Sequence, residues 1–124
     1  MNTILLAGEK NQTETMAISG YLGAQYNLLI AETGGQVLDY LQNQPVEVLI
    51  ISMSLDGLDA VSTIHTIRKS YLKLPVILLS NLINLNTLRL AAEEELNEIL
   101  QIPVQSDSML EILQKYLPEH TKTL

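Results

Sequence analysis

The run Val46-Glu47-Val48-Leu49-Ile50-Ile51-Ser52 constrains this chain more than any other stretch. It is aliphatic apart from Glu47, rich in β-branched residues, and ends in a hydroxyl followed by the loop Met53-Ser54-Leu55-Asp56-Gly57. A short apolar run leading straight into turn residues reads as a strand covered on both faces, at the centre of a parallel sheet. In open α/β sheets, ligands gather beyond the carboxyl ends of the strands. Ser52 therefore marks where chemistry is expected.

The remaining stretches supply partners for that strand. Thr3-Ile4-Leu5-Leu6-Ala7, Asn27-Leu28-Leu29-Ile30-Ala31, Val76-Ile77-Leu78-Leu79 and Glu98-Ile99-Leu100-Gln101-Ile102 read as further strands. Between and after them, apolar residues recur at three- and four-residue intervals, predicting helices from Thr13 to Tyr21, between the turn Thr33-Gly34-Gly35 and the stop Asn43-Gln44-Pro45, and over about 58–70, 85–95 and 106–117. Pro45, Pro103 and Pro118 mark ends of elements, because proline cannot continue a backbone ladder. Ser108 and Glu111 fit a capping box only if the last helix begins later than Ser106. Five strands alternating with five helices give an α/β fold of the (βα)5 type. Right-handed crossovers then require a parallel, doubly wound sheet with helices on both faces.

Composition limits what such a domain can do. The 124 residues are 47% apolar, enough for one domain with an ordinary core and too many for a disordered chain. Aromatic residues make up 4%, all tyrosine, so the core must be aliphatic. Net charge is −7, from 14 acidic and 7 basic residues, and no Lys/Arg-rich block occurs, which argues against direct binding to nucleic acid or membrane. Cysteine is absent, which excludes disulfides and thiolate metal sites. Residues 1–6 lack the basic start and long apolar core of a signal peptide, and no apolar run reaches membrane-spanning length. The expectation is a cytoplasmic domain over residues 3–117, a frayed tail over 118–124, and a protein that stands alone.

Several segments share one register: Ile4-Leu5-Leu6-Ala7, Ala31-Glu32-Thr33-Gly34, Pro45 to Ile51, Asp56-Gly57-Leu58-Asp59-Ala60, and Pro75 to Ser80. Over residues 3–117 that register resembles the receiver domain of bacterial two-component response regulators. In turn, the segments are similar to the family's first strand, the entry to its second helix, and the approach to its phosphorylation site. The last two are similar to the loop opening its third helix and to its fourth strand. Ser80 and Pro103 keep the family's spacing between a hydroxyl and a proline. The resemblance implies a CheY-like, flavodoxin-like sheet of strand order 2-1-3-4-5 and a cis peptide before Pro103.

It also implies a chemistry. A receiver takes a phosphoryl group from a histidine kinase onto an Asp at the end of its third strand. Mg²⁺, held by that Asp and an acidic pair after the first strand, neutralises the transferring group. A Lys after the fifth strand and a hydroxyl after the fourth hold the phosphoryl oxygens. Here the acidic pair falls on Gly8 and Glu9, the acceptor on Ser52, the hydroxyl on Ser80 and the lysine on Ile102. The acceptor assignment shortens the following loop by three residues; without that gap it falls on Leu49. Neither alignment supplies an aspartate. The family's aromatic switch position is Ile99.

These departures agree with one another. A serine alkoxide is not available near pH 7 without a base, and Glu9 alone should hold Mg²⁺ weakly or not at all. Ile102 can donate neither charge nor hydrogen bond. The resemblance thus implies a pseudo-receiver: not an enzyme, without a cofactor, working by contact with a signalling or output protein. Its expected partner face is the fourth helix, fifth strand and fifth helix, with Glu94, Ile99 and Tyr116, and a homodimer is compatible with it. Two alternatives remain: phosphorylation at Asp56 or Ser52, and a small ligand in the emptied pocket near Ile102. A hydrolase built on Ser52 is disfavoured, because neither His65 nor His120 is near it in sequence. Each residue also has a plain structural role available. Ser52 and Ser80 can be strand-end hydroxyls bonded to nearby backbone, Asp56 a turn residue, and Glu93-Glu94-Glu95 with Glu98 a solvated helix end.

Overall fold

The structure, a computed structural model, describes residues 2–55 and 60–118. Strands and helices alternate: β1 (Thr3–Ala7), α1 (Thr13–Leu22), β2 (Asn27–Ala31), α2 (Gly34–Asn43), β3 (Val48–Ser52), α3 (Ala60–Ser70), β4 (Val76–Ser80), α4 (Leu85–Glu93), β5 (Glu98–Gln101) and α5 (Ser106–Tyr116). All strand pairs are parallel and the order is β2-β1-β3-β4-β5, as the resemblance implies. β3 lies in the middle, and each of its residues is buried.

The period-2 alternation of the strands divides the core in two. Leu5, Ala7, Leu49, Ile51 and Leu78 face Val37 and Leu41 of α2 and Ile64 and Ile67 of α3. Ile4, Leu6, Val48, Ile50, Ile77 and Leu79 face Ile18 and Leu22 of α1 and Met109 and Leu113 of α5. Each fully buried aliphatic side chain contributes about 1.5–3 kcal/mol relative to exposure. The edge strands β2 and β5 are only partly covered.

Local chemistry fixes the helix starts. Thr33 caps α2 by accepting from the Gln36 N–H, and Asn84 caps α4 in a reciprocal box with Thr87. α5 starts at Ser106 after Gln105, whose side chain makes no cap, so Ser108 and Glu111 form no capping box.

Three boundaries differ from the sequence expectation. β3 opens at Val48, two positions after Val46; just before it, the Glu47 carboxylate accepts from the Thr3 N–H and the Glu47 N–H donates to the Thr3 carbonyl. α4 stops at Glu93, and Glu95 takes a positive φ of 53° beyond it. β5 ends at Gln101, and the Ile102–Pro103 peptide is cis. The expected opening of α3 at Leu58 lies outside the described residues, as do Asp56, Gly57 and His120. Among the described residues, no helix is long and apolar enough to cross a membrane.

Candidate functional site

The carboxyl ends of β1, β3 and β4 bring Gly8, Glu9, Ser52 and Ser80 to one rim of the sheet. Ser52 is buried, and its hydroxyl lies 2.8 Å from Ser54 Oγ while accepting from the Ser54 N–H at 3.1 Å. Ser54 in turn donates to Gln12 Oε1 at 3.0 Å, and the Gln12 amide donates to Glu9 Oε1 at 3.4 Å. Since the Ser54 proton goes to Gln12, Ser52 donates to Ser54, and the chain Ser52–Ser54–Gln12–Glu9 runs in one direction. It reaches a carboxylate only through an amide, which does not accept a proton near neutrality. Among the described residues Ser52 therefore has no base, and His65 is committed elsewhere, 3.0 Å from Glu94 Oε2.

Gly8 is closed off from the other side. A Cβ built there would lie 2.7 Å from Thr15 Oγ1 and 3.7 Å from Ser52 Cβ, so the buried Thr15 of α1 occupies the space a side chain would need. Ser80 turns its hydroxyl back on its own loop, donating to the Leu82 carbonyl at 2.8 Å and accepting from the Leu82 N–H at 3.3 Å. Beside it opens a cleft of about 360 Å³, lined by Ser52, Ser54, Ser80, Asn81, Thr87 and Ile102 among others, and none of its described lining residues is charged. Among the described residues no group of three His, Cys, Asp or Glu is placed to hold a metal ion. Among the described residues Glu9 is the carboxylate that follows β1, and Thr15 occupies the space a side chain at Gly8 beside it would need, so these two positions do not supply the paired carboxylates that suit Mg²⁺.

The response regulator receiver domain model matches residues 7–114. The chain belongs to the response regulator receiver domain family. Receiver domains are signalling modules that act through partner signalling or output proteins. Among solved structures, the chain is similar to the signal receiver domain of an HD domain-containing protein from Pseudomonas fluorescens, at 23% identity, TM-score 0.83 and 93% coverage of both chains. It is also similar to a chemotaxis protein of Vibrio cholerae, at 18% identity and TM-score 0.83, covering 94% of this chain and 99% of that one. A CheY-like receiver domain protein from Methanospirillum hungatei matches at 16% identity and TM-score 0.83, covering 93% and 92%. The sequence matches no curated protein.

On this receiver domain the expected partner face is partly engaged with itself. The Tyr116 hydroxyl donates to Glu98 Oε2 at 2.5 Å, and Lys115 Nζ lies 3.6 Å from the same oxygen. That bond, together with some burial, pushes the Tyr116 phenol up to about 12. Glu94 is held by His65, with its side chain 16% exposed, and Ile99 is half-buried in β5. Beneath the α4 terminus lies Arg68 of α3, a buried guanidinium that donates to the carbonyls of Glu94, Glu95, Tyr71 and Leu74 at 2.8–3.1 Å. Burial pushes its pKa down, against the raising influence of Glu95 and Glu94.

Sequence reasoning brought Gly8, Glu9, Ser52 and Ser80 to one rim but missed Gln12, Thr15, Ser54 and Arg68. The Ser-x-Ser pattern at the strand end was a usable signal for Ser54. Gln12 meets Ser54 across 42 residues, and nothing local announces that contact.

Proposed function

We propose that this receiver domain acts in signal transduction without being phosphorylated, by binding a partner protein through a surface that is always presented. The observation that carries this reading is the one-directional chain from Ser52 through Ser54 and Gln12 to Glu9. It commits the Ser52 hydroxyl to its neighbours at the rim where a receiver's phosphoryl group would sit, and among the described residues it leaves the serine with no base. The Ser80 bond to Leu82 and the Ile102 side chain support the same conclusion, since neither is free to hold a phosphoryl oxygen. With Ile99 at the family's switch position, no aromatic side chain connects the pocket to the partner face.

Acetyl phosphate with Mg²⁺, followed by intact-mass measurement, tests this directly. The mass is expected to stay unchanged. An adduct abolished by Asp56→Asn or by Ser52→Ala would return the protein to phosphotransfer. The cleft beside Ser80, whose described lining residues are uncharged, favours one second reading, a neutral small ligand held by the carboxamides of Asn81 and Asn86. A thermal shift from neutral amides or polyols, abolished by Ile102→Lys, is its expected signature.

A further inference from the structure

Phosphorylation-independent partner binding leaves open where the partner sits, and the apolar surface of this molecule does not lie where Glu94, Ile99 and Tyr116 are. Leu82, Leu85 and Leu88 are 60%, 70% and 51% exposed, on the β4–α4 loop and the first turns of α4. Leu85 and Leu88 share one helix face at a three-residue spacing. On the α3 side of the same helix runs a groove of about 210 Å³ whose apolar lining is Met53, Val61 and Leu90. Val61 is itself 45% exposed. Isolated exposed leucines are ordinary, but three within seven residues of chain, on the helix that lines an apolar groove, are of the kind that marks a contact site.

The charge around this ridge selects its occupant. α4 and the turn after it carry three acids, Glu93, Glu94 and Glu95, against one cation, Arg89, which lines the groove together with Glu93. A second copy would bring acid against acid, and nucleic acid or an anionic bilayer would be repelled in the same way. We infer that the ridge Leu82-Leu85-Leu88 docks an amphipathic protein segment with apolar anchors at one end and lysines or arginines at the other. The anchors would lie on the leucines and in the α3–α4 groove, and the basic end would reach Glu93 and Glu95, which are exposed at the end of α4. The His65–Glu94 pair and the Arg68 bonds hold that end of α4 in place, so the surface is set before binding. This inference rests on the phosphorylation-independent reading, and its test separates the two.

The probe is a synthetic helical Leu/Lys peptide, titrated into the ¹⁵N-labelled full chain, with a Leu/Glu peptide of identical apolar positions as control. The Leu/Lys peptide is expected to shift amides between Leu82 and Glu95, and the Leu/Glu peptide to bind at least ~10-fold more weakly. Leu85→Ser with Leu88→Ser should weaken binding by about tenfold or more, and both substitutions fall on exposed side chains that the fold does not need. Glu93→Gln with Glu95→Gln should weaken binding and flatten its salt dependence. Unchanged binding by the leucine double variant, or shifts confined to β5 and α5, would overturn the ridge. Self-association in sedimentation velocity that the same variant abolishes would overturn the choice of occupant in favour of a second copy. Binding that appears only after treatment with acetyl phosphate and Mg²⁺ would overturn the phosphorylation-independent reading and leave the ridge as the surface.

Discussion

A Cβ at Gly8 would stand 2.7 Å from Thr15 Oγ1, closer than such contacts are found, so something must move to admit any side chain. Thr15 is poorly placed to yield, because it is β-branched, buried, and part of α1, where rotamer choice is narrow. Gly8→Ala is therefore expected to destabilise the fold by about 1–3 kcal/mol, the usual cost of overpacking. Thr15→Ala should cost less on the Gly8→Ala background than on the wild type, since it removes the clashing atom. A double-mutant cycle by urea denaturation reads this as a coupling of about 1 kcal/mol or more. Additive effects would mean that Thr15 does not fill the position. Whatever side chain is placed at Gly8, Thr15 must move to admit it, so a carboxylate introduced there alone would meet the same contact.

Arg68 performs at the scale of elements what α4 lacks at its own end. The helix closes with acidic residues, which oppose the macrodipole, and the guanidinium of α3 takes the Glu94 and Glu95 carbonyls together with those of Tyr71 and Leu74. Lysine cannot reproduce that fork, because its ammonium is a compact charge with three donors. Arg68→Lys should cost about 2 kcal/mol, within the range of lost charge-assisted bonds. It should also speed hydrogen exchange at Glu94 and Leu96, whose N–H groups close the α4 terminus. A uniform loss of protection across the chain, with no local excess, would count against the clasp. On the other side of β5, Tyr116 ties α5 to Glu98, and its pKa rises to about 12 in the folded state. A group whose folded pKa is raised contributes stability below its unfolded value near 10 and loses it as pH climbs toward 12. Stability should therefore fall between pH 10 and 12, and Tyr116→Phe should make that fall shallower in urea midpoints measured across the range. Half-buried Tyr21 is raised to about 12 as well, chiefly by burial, so part of the decline should remain in the variant. Neither tie was legible in the sequence. Arg68 meets Glu94 across 26 residues and Tyr116 meets Glu98 across 18, and no period or dipeptide encodes such pairings. The strands were legible because burial on both faces forces a continuous apolar run. The end of α4 was not, because the Arg68 bonds that close it come from another helix.

Across the whole molecule, the sheet is a single partition with a core on each side, and neighbouring residues of β3 serve opposite sides. Leu49 packs with the α2 and α3 side chains, whereas Ile50 packs with those of α1 and α5. Both are fully buried, so Leu49→Ala and Ile50→Ala should each cost about 2–5 kcal/mol, the cost of a core truncation that leaves a cavity. The two cores cannot melt separately, because losing either one strips a face from every central strand and leaves apolar surface in water. Each variant should therefore unfold in one transition, with the same urea midpoint by far-ultraviolet circular dichroism and by tyrosine fluorescence. Tyrosine is a fair reporter for both sides, since Tyr40 and Tyr71 pack against one core and Tyr21, Tyr26 and Tyr116 against the other. Separate midpoints, with helix content persisting after the tyrosine signal is lost, would show that one layer survives alone. That outcome would also weaken the case for a surface set before binding, because α4 belongs to the Leu49 side and the ridge depends on that layer staying closed.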